Sequence, residues 1–184
     1  MGLTRHSIRF TLAAVLVVAL AGPAAAAPSR AGLEPGSARQ PSTHRSQSAG
    51  WVFSNLRIPA IGVDEAVRAG VSLEVLDRGV GHWAGTARPG EAGNVVLAGH
   101  RSIHSRPFAN LDALDPGDLV YVTDEAGAEV IYRVRETFIV DPTDLWITYD
   151  HATPTLTMFA CHPKGSAAQR IVVVADLVSR QRIG

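Results

Sequence analysis

Cys161 is the one cysteine in a chain of 184 residues, and Arg170 follows it nine positions later in Thr155-Leu-Thr-Met-Phe-Ala-Cys161-His-Pro-Lys-Gly-Ser-Ala-Ala-Gln-Arg170. A thiol can attack an amide carbonyl. An arginine, charged at any working pH and rich in donors, can stabilise the oxyanion that forms. The third group such chemistry needs is a proton carrier for the leaving amine, and histidine is the side chain tuned for it. Of the seven histidines, His6 and His44 lie in N-terminal segments and His151 in a polar loop. His82 precedes Trp83, His104 sits mid-loop and His162 directly follows the thiol. His100 ends the apolar run Asn94-Val-Val-Leu-Ala-Gly-His100, so a strand would hold it at a loop mouth, with Gly99 permitting close approach. Position favours His100, with His162 second.

These residues need elements to hold them. Strand signals recur from Trp51 onward: 52–58, 94–99, 118–123, 129–136, 138–140, 155–160 and 170–177. Ala126-Gly127 reads as a hairpin turn between the third and fourth of these. The run 170–177 is apolar on both faces, which predicts a central strand. If residues 162–169 form the loop before it, Arg170 returns beside Cys161. Helical signals are few: Ser72 could cap 73–78, stopping at Gly79, and 108–114 could hold one short turn. Many short strands at turn-marked intervals predict a closed barrel or a sandwich.

The N-terminus sets the context. Residues 1–27 carry a basic start (Arg5, His6, Arg9), an apolar stretch from Phe10 to Ala21 and an Ala-rich end, and read as a signal peptide or an uncleaved signal anchor. Residues 28–50, rich in Ser, Pro, Gly, Ala and Arg, read as a flexible linker, which leaves 51–184 as the folded domain. An exported chain with a single cysteine has no internal disulfide. The thiol pairs with another chain, sits buried and inert, or reacts.

Composition narrows the partners. Formal net charge is zero, but residues 1–50 hold five Arg against Glu34 alone, so 51–184 carries 12 basic and 16 acidic residues. That balance speaks against nucleic acid as the main partner. One Cys and scattered His do not match zinc-ligand spacing, and no phosphate-binding loop is present, so no cofactor is expected.

Four blocks together resemble the sortases, cell-surface cysteine transpeptidases of Gram-positive bacteria: Arg57-Ile-Pro-Ala-Ile-Gly-Val-Asp64; Gly79-Val-Gly-His-Trp-Ala-Gly-Thr86 with Pro89-Gly-Glu-Ala-Gly-Asn94; Ala98-Gly-His-Arg101 with Pro107-Phe108 and Pro116-Gly-Asp118; and the Cys161 to Arg170 segment. The wording of the last two is most similar to class E sortases of actinobacteria. The resemblance implies an eight-stranded β-barrel over 51–184, with Cys161 as nucleophile, His100 as general acid/base and Arg170 as oxyanion or substrate stabiliser. It implies cleavage of a Thr–Gly bond in a Leu-Pro-x-Thr-Gly or Leu-Ala-x-Thr-Gly sorting motif, with transfer to a cell-wall peptidoglycan precursor amine. Its partners would be sorting-motif-bearing surface proteins, and the membrane itself where the N-terminal segment stays uncleaved. Its place would be extracytoplasmic, membrane-anchored or secreted. The chain departs from the family pattern Thr-Leu-x-Thr-Cys at Ala160, which lacks the hydroxyl that family members can use to hold the substrate or thiol. A peptide-binding surface module without catalysis, or a cysteine hydrolase without efficient transfer, are the alternative readings.

Overall fold

The computed structural model describes residues 50–182. The segments read as signal and linker, Gly50 apart, lie outside the described residues. Eight strands follow one another: β1 (Val52–Ile58), β2 (Val63–Ala69), β3 (Val80–His82), β4 (Asn94–Ala98), β5 (Leu119–Thr123), β6 (Ala128–Val140), β7 (Thr155–His162) and β8 (Gln169–Arg182). One short helix, α1 (Leu73–Leu76), and three 3-10 turns complete them. The strands close into a barrel in the order β1-β2-β3-β4-β7-β8-β6-β5. Two contacts in that ring, β2 with β3 and β4 with β7, are parallel and the rest antiparallel. Among the described residues no helix is long and apolar enough to cross a membrane.

Alternation along the strands explains the closure. Leu56 and Ile58, Val95 and Leu97, Val120 and Val122, Val130 and Tyr132, Leu156, Met158 and Ala160, and Ile171, Val173 and Ala175 all point inward and form one core. The partners in between do not all meet water. Val140, Ile147, Val172 and Val174, with Phe138 and Phe159 against them, form a second apolar cluster on the outer face. This is why β8 is apolar on both sides, and it does lie between β6 and β7 as expected of a central strand.

Several expected boundaries shift. The two runs expected at 129–136 and 138–140 are one strand, because β6 pairs with β8 along its whole length across a bulge between Val134 and Glu136. β8 runs on to Arg182, past the expected end at 177, since polar Arg180, Gln181 and Arg182 pair with Val130, Glu129 and Ala128 without any apolar pattern to mark them. β2 and β3 had no expected counterpart: Asp64, Glu65 and Arg68 obscure the inward Val63, Val67 and Ala69, and β3 has three residues. The helix stops at Leu76, and Ser72 contributes its carbonyl rather than its hydroxyl, accepting from Val75 and Leu76 N–H. The turn expected within 108–114 is the 3-10 segment Leu111–Ala113.

The β5–β6 hairpin is fastened by Asp124, which is buried. Its Oδ1 accepts from the Ala126 and Ala128 N–H groups at 2.8 and 2.9 Å, and its Oδ2 from Arg180 Nε at 2.6 Å. Burial works to raise the pKa of this carboxyl, but the Ala128 N–H, the Arg180 guanidinium and the Ala126 N–H outweigh it and hold the group below its ordinary value. A carboxyl depressed in the folded state stabilises the fold fully above its unfolded pKa, near 4, and loses that contribution as pH falls through the folded value. Asp124→Ala is therefore expected to cost about 1.5–3 kcal/mol at neutral pH. Urea denaturation at stepped pH checks it: the gap between the two chains should close on acidification below about pH 4.

Candidate active site

Cys161 and Arg170 face each other across the last rungs of β7 and β8. The antiparallel register runs from Thr155↔Asp176 to Cys161↔Arg170 and His162↔Gln169. Directly opposed residues share one face, with Cβ atoms about 4.5–5.5 Å apart. That face is the outer one: Met158 and Ala160 belong to the inner core, whereas Phe159 packs in the outer cluster with Val172 and Val174. The thiol and the guanidinium thus start side by side on the outside of the barrel, both half-buried. Arg170 Nη1 donates to the carbonyls of Ala167 and Gln169 at 2.9 and 2.8 Å, which folds the side chain over its own loop end. Ala160, 2% exposed, turns into the core, so its side chain points to the opposite face of the sheet from that of Cys161.

His100 reaches the same end through the other neighbour of β7. β4 runs parallel to β7 in register from Asn94↔Thr155 to Ala98↔Phe159, and Gly99 N–H adds one more bond to the Phe159 carbonyl at 3.3 Å. Two residues past the last pair, His100 follows the end of β4 and Cys161 lies near the end of β7, at one edge of the barrel. The backbone of His100 is held there, because its carbonyl accepts from Phe108 N–H at 3.1 Å. A Cβ on Gly99 would lie 2.8 Å from the Phe108 ring, so only glycine lets Pro107 and Phe108 close over this strand end. The ring is buried, with Nε2 2.9 Å from Asp77 Oδ1. A carboxylate can only accept, so Nε2 carries hydrogen, which leaves Nδ1 as the nitrogen that can take up or release a proton. His104 stacks on His100 with ring centroids 5.2 Å apart, and its Nε2 lies 3.2 Å from the same Asp77 oxygen.

The second-ranked histidine is engaged elsewhere. Arg101, 3% exposed, donates from Nη1 to His162 Nδ1 at 2.6 Å and pairs through Nη2 with Asp112 Oδ2 at 2.8 Å. Partial burial pulls the Asp112 carboxyl up, yet the hydrogen bond from Arg101 leaves it below its ordinary value. Since guanidinium only donates, His162 Nδ1 accepts, and the ring has a structural role tying β7 to the segment after β4. His82 is also structural: buried, with Nε2 donating to the Ala87 carbonyl at 2.9 Å, and its pKa is lowered by burial against the pull of that carbonyl. His151 lines a groove of about 290 Å³ over the outer cluster, with Phe138, Trp146, Thr157 and Val172. Phe138 and Trp146 stack at 5.6 Å. Buried Asn94 holds the Trp146 segment in place, donating to the Ile147 and Tyr149 carbonyls at 3.0 Å each and accepting from Thr157 Oγ1 at 2.8 Å.

Sequence reasoning missed Asp77, Arg101 and the convergence of His104. Arg101 stood in the Ala98-Gly-His-Arg101 block, but nothing in its neighbours shows that it is buried. Asp77 lies 23 residues from His100, and only the packing of α1 against β3 brings it near.

The Sortase domain family matches residues 56–178, from within β1 to the later part of β8. The chain belongs to the sortase family. It is 30% identical to sortase SrtE1 of Streptomyces coelicolor over 148 residues, 72% of this chain and 42% of that protein. It is 31% identical to sortase D of Bacillus subtilis over 128 residues, 67% of this chain and 63% of that protein. It therefore spans under two thirds of the length of either relative. Among solved structures, a mutant sortase E from Streptomyces avermitilis superposes with TM-score 0.65 at 31% identity, covering 72% of this chain and 91% of that one. A Clostridium perfringens sortase D5 transpeptidase gives TM-score 0.65 at 32% identity over 71% and 81%. The likeness extends to sortase E, as the wording around His100 and Cys161 implied, and equally to sortase D.

Within this sortase barrel, Arg101 links the loop after β4 to the end of β7. Arg101→Lys keeps the charge but cannot serve His162 and Asp112 through one planar fork. The expected result is faster amide hydrogen exchange in residues 163–168 with unchanged protection in the centres of β6 and β8. Global unfolding by urea would fall by about 1–3 kcal/mol.

Proposed function

We propose that this sortase cleaves the Thr–Gly bond of a Leu-Pro-x-Thr-Gly or Leu-Ala-x-Thr-Gly motif and passes the acyl group to an amine through a thioester on Cys161. The observation that carries the reading is the cross-strand pairing of Cys161 with Arg170 on an outer face, beside the strand end that bears His100. The Cys161 thiolate attacks the threonine carbonyl carbon. Arg170 turns donors toward the oxyanion as the carbonyl becomes tetrahedral. The C–N bond then breaks, and the His100 imidazolium gives its proton to the departing glycine amine. An incoming amine attacks the thioester, the Cys161 sulfur leaves, and His100 recovers the proton, so the enzyme returns to its starting state.

Asp77 supports this division of labour as a positioning residue. With Asp77 accepting from Nε2, the His100 ring carries the moving proton on Nδ1. The apolar groove over Phe138, Trp146 and Val172 lies on the same outer face as Cys161, and offers a surface for the hydrophobic part of a sorting motif. The acceptor is a cell-wall peptidoglycan precursor amine, the substrates are surface proteins bearing the motif, and the site of action is outside the cytoplasmic membrane, with the N-terminal segment as anchor or cleaved signal.

Mixing the protein with a quenched sorting-motif peptide, with and without an amine, and weighing the products tests this. An amine adduct is expected; free hydrolysed acid alone would make the enzyme a hydrolase, and unchanged peptide a binding module. Cys161→Ala should abolish turnover, and Arg170→Ala should lower kcat by about 10²–10³-fold. His100→Ala should do the same, whereas His162→Ala should retain most of the rate. Full turnover by Cys161→Ala would sink the mechanism.

A further inference from the structure

Three side chains from two segments converge at one point, the proposed proton carrier among them: Asp77 at the end of α1, and His100 and His104 in the loop after β4. Each side chain offers one donor atom, and the three lie within 4.8 Å of one another. Both ring Nε2 nitrogens point at the same oxygen, Asp77 Oδ1, at 2.9 and 3.2 Å. Bonds of about 2.0–2.1 Å in a tetrahedral zinc site place ligand atoms about 3.3 Å apart. The observed separations from the carboxylate oxygen are close to that edge length. Two imidazoles and one carboxylate are a ligand set that borderline divalent ions favour, and the partial exposure of Asp77 and His104 gives an ion a path in.

The loop geometry that achieves this is unusual. His104 and Arg106 both take left-handed backbone, with φ of +52° and +49°, and neither is glycine. These two turns fold the loop back so that the His104 ring lies over His100.

We propose that Asp77, His100 and His104 form a zinc-class divalent metal site whose occupation switches the enzyme off. The ion would bind through His100 Nε2, His104 Nε2 and Asp77 Oδ1, leaving its fourth position to solvent. Coordination at Nε2 fixes the single ring proton of His100 on Nδ1. The ring then has no lone pair to take the proton of the Cys161 thiol, and the thiolate–imidazolium pair cannot form. Loss of activity rests on the proposed role of His100; binding of the metal does not.

Cobalt(II), whose visible absorption reports tetrahedral nitrogen and oxygen coordination, separates the two. It is titrated into the full chain carrying Cys161→Ala, which removes the thiol as a ligand. Saturable absorption that zinc displaces is expected, with affinity falling more than about tenfold when His104→Asn is added. Asparagine tolerates left-handed backbone, so the loop keeps its path. In the chain with Cys161 intact, zinc should suppress peptide turnover and a chelator restore it. His104→Asn should keep the metal-free rate and resist zinc. Cobalt absorption unaffected by His104→Asn, or absent once Cys161 is removed, would overturn the site. A zinc-bound chain with undiminished turnover would overturn the switch while leaving the metal site standing.

Discussion

The proposed active site depends on the register of β7 against two neighbours of opposite direction. Antiparallel pairing with β8 sets Arg170 opposite Cys161, and parallel pairing with β4 sends His100 out at the same edge. A slip of one residue in either pair would turn a side chain to the other face of the sheet. The register is protected on both sides of the strand. Leu156, Met158 and Ala160 are locked in the barrel interior, while Phe159 is locked in the outer cluster with Val172 and Val174. Burial on both faces leaves β7 no alternative alignment that keeps its apolar residues out of water. The same packing that stabilises the barrel therefore positions the candidate catalytic groups.

Around that frame, polar contacts fix the ends of the strands, where β-structure alone would fray. Gly99 admits Phe108 against the end of β4. The Arg101 guanidinium bridges Asp112 and His162, tying the post-β4 loop to the end of β7. Asn94 satisfies two carbonyls of the segment that carries Trp146. These are buried or partly buried bonds, so each restrains a loop more firmly than a surface pair would. Asp77 stands in both proposals for His100: in the first its oxygen orients the ring for proton transfer, and in the second it joins His104 in a ligand set for an ion.

Much of this was legible in the residues themselves. Apolar runs ending at Gly99 and Cys161 marked two strands that stop at loop mouths, and Arg170 at the start of another gave the third group. The number of short strands pointed to a closed barrel or a sandwich, and the family-like blocks implied the eight-stranded barrel that forms. What stayed hidden was whatever depended on distance along the chain or on masked alternation. Charged residues obscured β2, and the polar tail of β8 has no apolar alternation of its own to betray it. Thr137 and the bulge at Arg135 broke the pattern of β6 although its hydrogen bonding continues. Asp77 meets His100 only because α1 folds against the barrel, and a burial as complete as that of Arg101 is invisible in an arginine followed by Ser102.

The most direct test of the central claim is the intact mass of the protein, quenched in acid during turnover of a sorting-motif peptide without added amine. The account predicts a species heavier by the peptide portion ending in threonine, attached at Cys161 and released by hydroxylamine. Active turnover with no such adduct, or with the adduct on another residue, would contradict it.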